Sequence, residues 1–168
     1  MSYLVMGVSG CGKSTIGKLL ASRLHLHFID ADDYHVPSSV EKMRNGIPLT
    51  DEDRWAWLQR LNQLLRQAEA TGQEVVMACS ALKESYRQML RDGLEQPLKL
   101  IFLHGSKEVL LRRLGNREGH FMPSSLLESQ LQTLEIPTYG LSVDIDQIPE
   151  VMVDQILQHY APEQKAVD

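Results

Sequence analysis

Residues 6–15 read MGVSGCGKST, and what this stretch is built to hold decides how the rest of the chain must be arranged. Gly7, Gly10, Gly12, Lys13 and Ser14 fit the spacing GxxxxGK followed by Ser or Thr. A short apolar run, Tyr3 to Met6, precedes it and a segment of helical period follows it. A strand, a glycine-rich loop and a helix are the context in which that spacing has a mechanism. Glycines let several backbone N–H groups turn inward, and the helix starting near Lys13 adds the positive end of its dipole. Such a nest suits a polyphosphate. Lys13 is expected to reach the β- and γ-phosphates of ATP, and Ser14 to offer its hydroxyl to Mg²⁺. Thr15 is a candidate α-phosphate contact. The candidate nucleotide-binding positions are therefore Gly7, Ser9, Gly10, Cys11, Gly12, Lys13, Ser14 and Thr15, with the Cys11 side chain read as packing rather than as a redox group.

Outward from the loop, short apolar runs alternate with longer segments of helical period, the signature of βαβ units around a parallel sheet. Five runs qualify: Tyr3 to Met6, Leu26 to Asp30, Glu74 to Cys79, Leu98 to Leu103 and Leu141 to Ile145. The clearest helix is Asp51 to Ala70, where Trp55, Leu58, Leu61, Leu64 and Leu65 recur at helical spacing and Asp51 or Thr50 caps the start. Trp55 reads as core on this pattern. Other helices follow Lys13, Ala81, Ser106, Pro123 and Gln147. The 168 residues, 43% of them hydrophobic, suit one domain over residues 1–160, with 161–168 as a flexible tail. A net charge of −5 argues against a general nucleic-acid surface. Apolar runs are too short to span a membrane, the start MSYLVMGV lacks a basic leader, and two cysteines make no disulfide framework. The reading is a cytoplasmic enzyme with neither nucleic-acid nor membrane partner.

A triphosphate loop is shared by switches, motors, ATPases and kinases, so the remaining charged groups must discriminate. The second apolar run ends in Asp30 and continues Ala31-Asp32-Asp33-Tyr34-His35. This places carboxylates at the C-terminal edge of the sheet, where ligands bind. Asp30 is the candidate to orient the magnesium or its waters. Asp32, two residues on, is then left for the acceptor, as base for the attacking hydroxyl or as a turn residue capping the next helix. Cations form the complementary set: Arg54 at the start of the long helix, and Lys83 with Arg87, which share one face if ALKESYRQML is helical. Arg112, Arg113 and Arg117 lead into Gly119, His120 and Pro123, a cationic stretch punctuated like a lid over about 113–125. Arg117 is the candidate guanidinium for the transferring group. His35 and His120 are candidate polar contacts to substrate or lid.

The order of these pieces resembles the gluconate kinase family, small relatives of shikimate and adenylate kinases. The resemblance runs from residue 3 to about 150 through MGVSGCGKS, DADDYH, KMRNGIPLTDEDRWAWL, CSALKESYRQMLR, NREGHFMP with LLESQLQTLE, and VDIDQ. Two positions depart from the family pattern: its usual DGD stands here as Asp30-Ala31-Asp32, and the proline expected right after His35 falls one later, at Pro37. The resemblance implies the P-loop kinase fold of class α/β, a five-stranded parallel sheet flanked by helices, with an acceptor-binding helical segment and a lid. It implies ATP-dependent phosphorylation of D-gluconate to 6-phospho-D-gluconate, with a sugar acid as small-molecule partner. Arg54, Lys83, Arg87, Asp32, His35 and His120 are then the acceptor candidates. Arg113 or Arg112 would stack on adenine, with the loop after Asp146 closing the base site, and such kinases are often homodimers. The competing readings are a shikimate-like or nucleoside-monophosphate kinase, and a regulatory module that binds nucleotide without transferring phosphate.

Overall fold

The computed structural model describes residues 1–115 and 125–160. Strands β1 (Tyr3–Met6), β2 (His27–Asp30), β3 (Val75–Ala78), β4 (Lys99–His104) and β5 (Leu141–Asp144) form one sheet in the order β2-β3-β1-β4-β5. Every pairing is parallel, with Leu4 of β1 opposite Met77 on one side and Leu100 on the other. Each of the five apolar runs is a strand, within one residue at either end. Parallel neighbours cannot be joined by tight turns, so helices make the crossovers and cover both faces. These are α1 (Lys13–Leu24), α2 (Pro37–Arg44), α3 (Asp51–Ala70), α4 (Glu84–Arg91), α5 (Lys107–Gly115), α6 (Ser125–Thr133) and α7 (Pro149–Tyr160), with a single 3-10 turn at Ala31–Tyr34.

Two cores lie on opposite faces of the sheet, which is why the inner strands β1 and β3 are apolar throughout rather than alternating. Tyr3 and Val5 of β1 pack on one face with Ile16 and Leu20 of α1, Leu110 of α5 and Val153 and Ile156 of α7. Leu4 and Met6 pack on the other with Leu58, Leu61 and Leu65 of α3 and Tyr86 and Leu90 of α4. The central strand therefore holds the nucleotide loop between two buried layers, and the loop leaves β1 at the sheet's C-terminal edge.

α3 starts on a reciprocal cap. Thr50, rather than Asp51, is the capping residue: its hydroxyl accepts from the Asp53 N–H at 3.1 Å, and the Asp53 carboxylate accepts from the Thr50 N–H at 2.9 Å. Lys42 of α2 reaches the same carboxylate at 2.9 Å and joins the two helices. The expectation that Trp55 belongs to the core is overturned, since it is 49% exposed whereas Trp57 is 4% exposed. The buried stripe of α3 is Trp57, Leu58, Leu61, Leu65 and Ala68. At about 100° per residue Trp55 stands roughly a right angle from the centre of that stripe.

Candidate active site

Gly12 caps α1 in the left-handed region, with φ 94°, and no acidic residue stands in the helix's first turn. The contrast with α3 is informative. That helix neutralises its own N-terminal end with Asp51, Glu52 and Asp53, whereas the end of α1 keeps its positive field for a ligand. Gly7, with φ 151°, also tolerates no larger residue, because a β-carbon there would stand 2.7 Å from the Leu103 carbonyl oxygen. The loop's backbone is thus pressed against β4 and cannot relax. Cys11 is buried, the packing role expected of its side chain. The Lys13 ammonium lies along the loop and donates to the Val8 carbonyl at 3.2 Å.

Ser14 and Asp30, far apart in sequence, meet across the end of the sheet, where the Ser14 hydroxyl donates to the Asp30 carboxylate at 2.9 Å. The other Asp30 oxygen accepts from the Asp32 N–H at 3.0 Å and so starts the 3-10 turn. Ala31 is buried, and its carbonyl accepts from the Trp57 indole N–H at 2.7 Å. Trp57 also stacks on the His35 ring, with centroids 4.0 Å apart. His35 Nε2 stands 3.5 Å from an Asp32 oxygen, and its buried Nδ1 has no hydrogen-bond partner among the described residues. One tryptophan therefore fixes both the acidic turn and the imidazole beside it.

These groups line one cavity of about 300 Å³. The loop (Ser9, Gly10, Gly12, Lys13, Ser14) forms one end, with Asp30, Asp32, Asp33 and His35 alongside. The acceptor side is lined by Met43 of α2, Ile47, Pro48 and Leu49, and Arg54 and Trp57 of α3, and α6 contributes Leu126, Ser129, Gln130 and Thr133. A second cleft of about 270 Å³ opens on the other side of the loop between Gly12, Thr15, Arg113, Gln147 and Pro149. Arg113 donates to the Ile145 carbonyl, which holds its guanidinium over the cleft. Arg117 and His120 lie outside the described residues, as do most of the expected lid segment and the tail at 161–168.

The cations separate. Arg54 lines the cavity, anchored by a bond to the Leu49 carbonyl and seated over the Tyr86 ring at 5.5 Å. Lys83 and Arg87 do not line it, and they do not share a helix face. Lys83 precedes α4 as its cap and pairs with Asp51 at 3.3 Å. Their bond lifts the Lys83 pKa, while the Tyr86 hydroxyl, and then Lys83, hold the Asp51 carboxyl below the usual carboxylate range. Arg87 is 1% exposed, and its guanidinium donates to the carbonyls of Ala81 (3.0 Å), Leu82 (3.1 Å) and Glu135 and to the Glu84 carboxylate (3.0 Å). A buried guanidinium that spends four of its five N–H donors on the protein, outside the cavity lining, is not placed to bind an acceptor. Burial likewise raises the Cys79 thiol to about 12, so no thiolate is offered at that strand end.

The shikimate kinase family model matches residues 9–157. Whole-chain relatives narrow this further. The gluconokinase of Gluconobacter oxydans (strain 621H) is 45% identical over 95% of this chain and 91% of its own length. A probable gluconokinase of Xenopus tropicalis is 43% identical over 93% and 91%. The chain belongs to the gluconokinase family. A gluconokinase structure from Sinorhizobium meliloti 1021 superposes with a TM-score of 0.84 at 46% identity, covering 94% of this chain and 89% of that one. An unliganded sugar kinase from Janibacter sp. HTCC2649 gives 0.89 at 42%, covering 96% and 97%. The resemblance found in the sequence is thus borne out for family and fold.

In this gluconokinase-family chain, the candidate residues read from the sequence included Arg54 but not the apolar part of the acceptor-side wall. Met43, Leu49 and Leu126 pack there as a small apolar cluster of their own. Pro37 at the first turn of α2 and Asn45-Gly46 just after it were the available signals for that helix. Gln130 of α6 lies within LLESQLQTLE, one of the stretches that carry the resemblance, but nothing singles out one neutral amide in that helical string.

Proposed function

We propose that this chain transfers the γ-phosphoryl group of ATP to the terminal hydroxyl of D-gluconate, giving ADP and 6-phospho-D-gluconate. One observation carries the reading: a single cavity has the phosphate loop with Lys13, Ser14 and Asp30 at one end, and Asp32, His35 and Arg54 facing its acceptor side. The adenosine would lie in the cleft beside Arg113 and Gln147, and the triphosphate would pass over the loop into the cavity. Arg54 is the cation for the sugar-acid carboxylate, since among the described residues it is the lining cation besides Lys13. His35 Nδ1, buried and without a hydrogen-bond partner among the described residues, suits a substrate hydroxyl, because an unmatched polar atom in such a site is costly unless the ligand completes it.

In the transfer, the acceptor's hydroxyl oxygen attacks the γ-phosphorus as the bond to the β-γ bridging oxygen breaks. The hydroxyl proton passes to the Asp32 carboxylate, and Lys13 balances the negative charge accumulating on the departing ADP. Two oxygen donors 2.9 Å apart, Ser14 Oγ and an Asp30 carboxylate oxygen, fit a hard divalent cation and would hold Mg²⁺. When bound, Mg²⁺ offsets the charge of the β- and γ-phosphate oxygens. Arg117 is proposed to meet the transferring group from the segment after α5, and His120 to contact substrate from the same segment. The cytoplasm is the proposed compartment, supported by two free, buried cysteines, and no helix among the described residues is long and apolar enough to cross a membrane. A homodimer is the proposed assembly.

The test is ATP consumption by the purified protein with D-gluconate, shikimate and a panel of nucleoside monophosphates. Turnover is expected with gluconate. Shikimate is the informative rival because of the family-model match, and turnover confined to it or to nucleotides would overturn the reading.

A further inference from the structure

Helix α6 touches both ends of the cavity with one face. The Gln130 side-chain oxygen accepts from the backbone N–H of Ser9, in the phosphate loop, at 2.7 Å across 121 residues of sequence. Because a backbone N–H only donates, the carboxamide oxygen must be the end that faces the loop. One turn earlier on the same face, Leu126 packs with Met43 of α2 and with Leu49, the apolar wall on the acceptor side. Leu127, between them, is buried in the core with Leu110 and Leu114 of α5. The helix is therefore a short rigid strut, with a hydrogen bond to the nucleotide loop at one point and a packed contact to the acceptor wall at another.

We infer that Gln130 is a positioning residue that couples the nucleotide loop to the acceptor site. The Ser9 N–H is one of the cavity-lining loop's donors, and a phosphate oxygen is a stronger acceptor for it than a neutral carboxamide, since charge-assisted hydrogen bonds are roughly twice as strong. A triphosphate that takes this donor changes what Gln130 is tied to. The change is carried along α6 to Leu126, and so to the wall formed with Met43 and Leu49. Energetic coupling needs a contiguous packed element with both sites acting on it, and α6 is such an element here.

This inference rests on the reading of the cavity as shared by ATP and a sugar acid. Its test measures gluconate affinity by calorimetry with and without a saturating, unreactive ATP analogue and Mg²⁺, in the wild type, in Gln130→Met and in Gln132→Met. Gln132 is exposed on the same helix. In the wild type the analogue is expected to change gluconate affinity by a factor of about 5–150, the usual range of intersite coupling. In Gln130→Met that factor falls towards one, whatever shift the variant shows in gluconate affinity without the analogue, and Gln132→Met keeps the wild-type factor. Gln130→Ala, read in the same way, covers the case in which the thioether does not pack. A wild-type factor of one, or an unchanged factor in the Gln130 variants, would overturn the coupling while leaving the proposed function standing. Failure of the wild type to bind gluconate under either condition would overturn both.

Discussion

At the scale of single residues, Asp32 and Arg54 divide the acceptor chemistry, and each makes a separable prediction. Asp32 faces the cavity beside His35, and its own N–H is bound by Asp30, so the two carboxylates have different jobs within one turn. Asp32→Asn keeps the shape and removes the proton acceptor. We expect kcat to fall by about 10²–10⁴ with the KM for ATP within about threefold of wild type; a loss of ATP affinity in its place would assign Asp32 to the metal. Arg54→Met is expected to raise the KM for gluconate roughly 10- to 100-fold, from the about 1.5–3 kcal/mol of a hydrogen bond to a charged group, with a smaller effect on kcat. Steady-state kinetics on both substrates decide it. The departure from the family pattern at Ala31 puts no left-handed strain on the turn. Among the described non-glycine residues only His25 and Ala81 have positive φ, so the turn at Ala31 does not require glycine.

At the scale of elements, the start of α3 shows how local sequence and tertiary contact combine. Thr50 and Asp53, three apart, announce a reciprocal cap in the sequence, whereas the Lys42 partner comes from another helix and could not be read there. Lys42 first, and the Thr50 backbone N–H second, hold the Asp53 carboxyl at about 2, below the 3.8 of an unperturbed aspartate. A depressed carboxylate pKa adds stability that is fully present above the unfolded value and is lost as pH falls through the folded one. The contribution should therefore persist from neutrality down to about pH 4 and disappear between about 4 and 2. Thermal melts of wild type and Asp53→Asn across this range test it: the wild-type advantage is expected to be constant above pH 4 and to vanish near pH 2. An advantage that survives below pH 2 would mean that the charge is not its source. The two tryptophans teach the complementary lesson. Apolar spacing alone admitted a stripe containing Trp55, and only packing against Ala31 and His35 selects Trp57.

At the scale of the whole molecule, the strand runs and the loop were legible because each is a local pattern, while the burial of Arg87 was not. A cation four residues after Lys83 looks like half of a solvated or ligand-gripping pair. What decides otherwise is Glu135, 48 residues away, whose carbonyl Arg87 reaches from α4. The same junction is closed by the Glu135 N–H donating to the Leu82 carbonyl at 2.8 Å and by the Glu84 N–H donating to the Glu135 carboxylate at 3.0 Å. Arg87 thus fastens the segment after α6 to the end of β3, where Ala81 holds φ 45° and its carbonyl is one of the arginine's acceptors. Arg87→Met keeps most of the volume and takes the arginine's donors from the Ala81 and Glu135 carbonyls, while the Leu82 carbonyl keeps the Glu135 N–H. At about 1–3 kcal/mol for a buried group left unmatched, a loss of roughly 2 kcal/mol or more is expected, or about 4–8 °C in Tm for a chain of this size. The folded variant should keep its KM for gluconate within about twofold. Were Arg87 instead the carboxylate's cation, the pattern would invert, with KM rising more than tenfold at an unchanged Tm, and the assignment of that role to Arg54 would have to be given up.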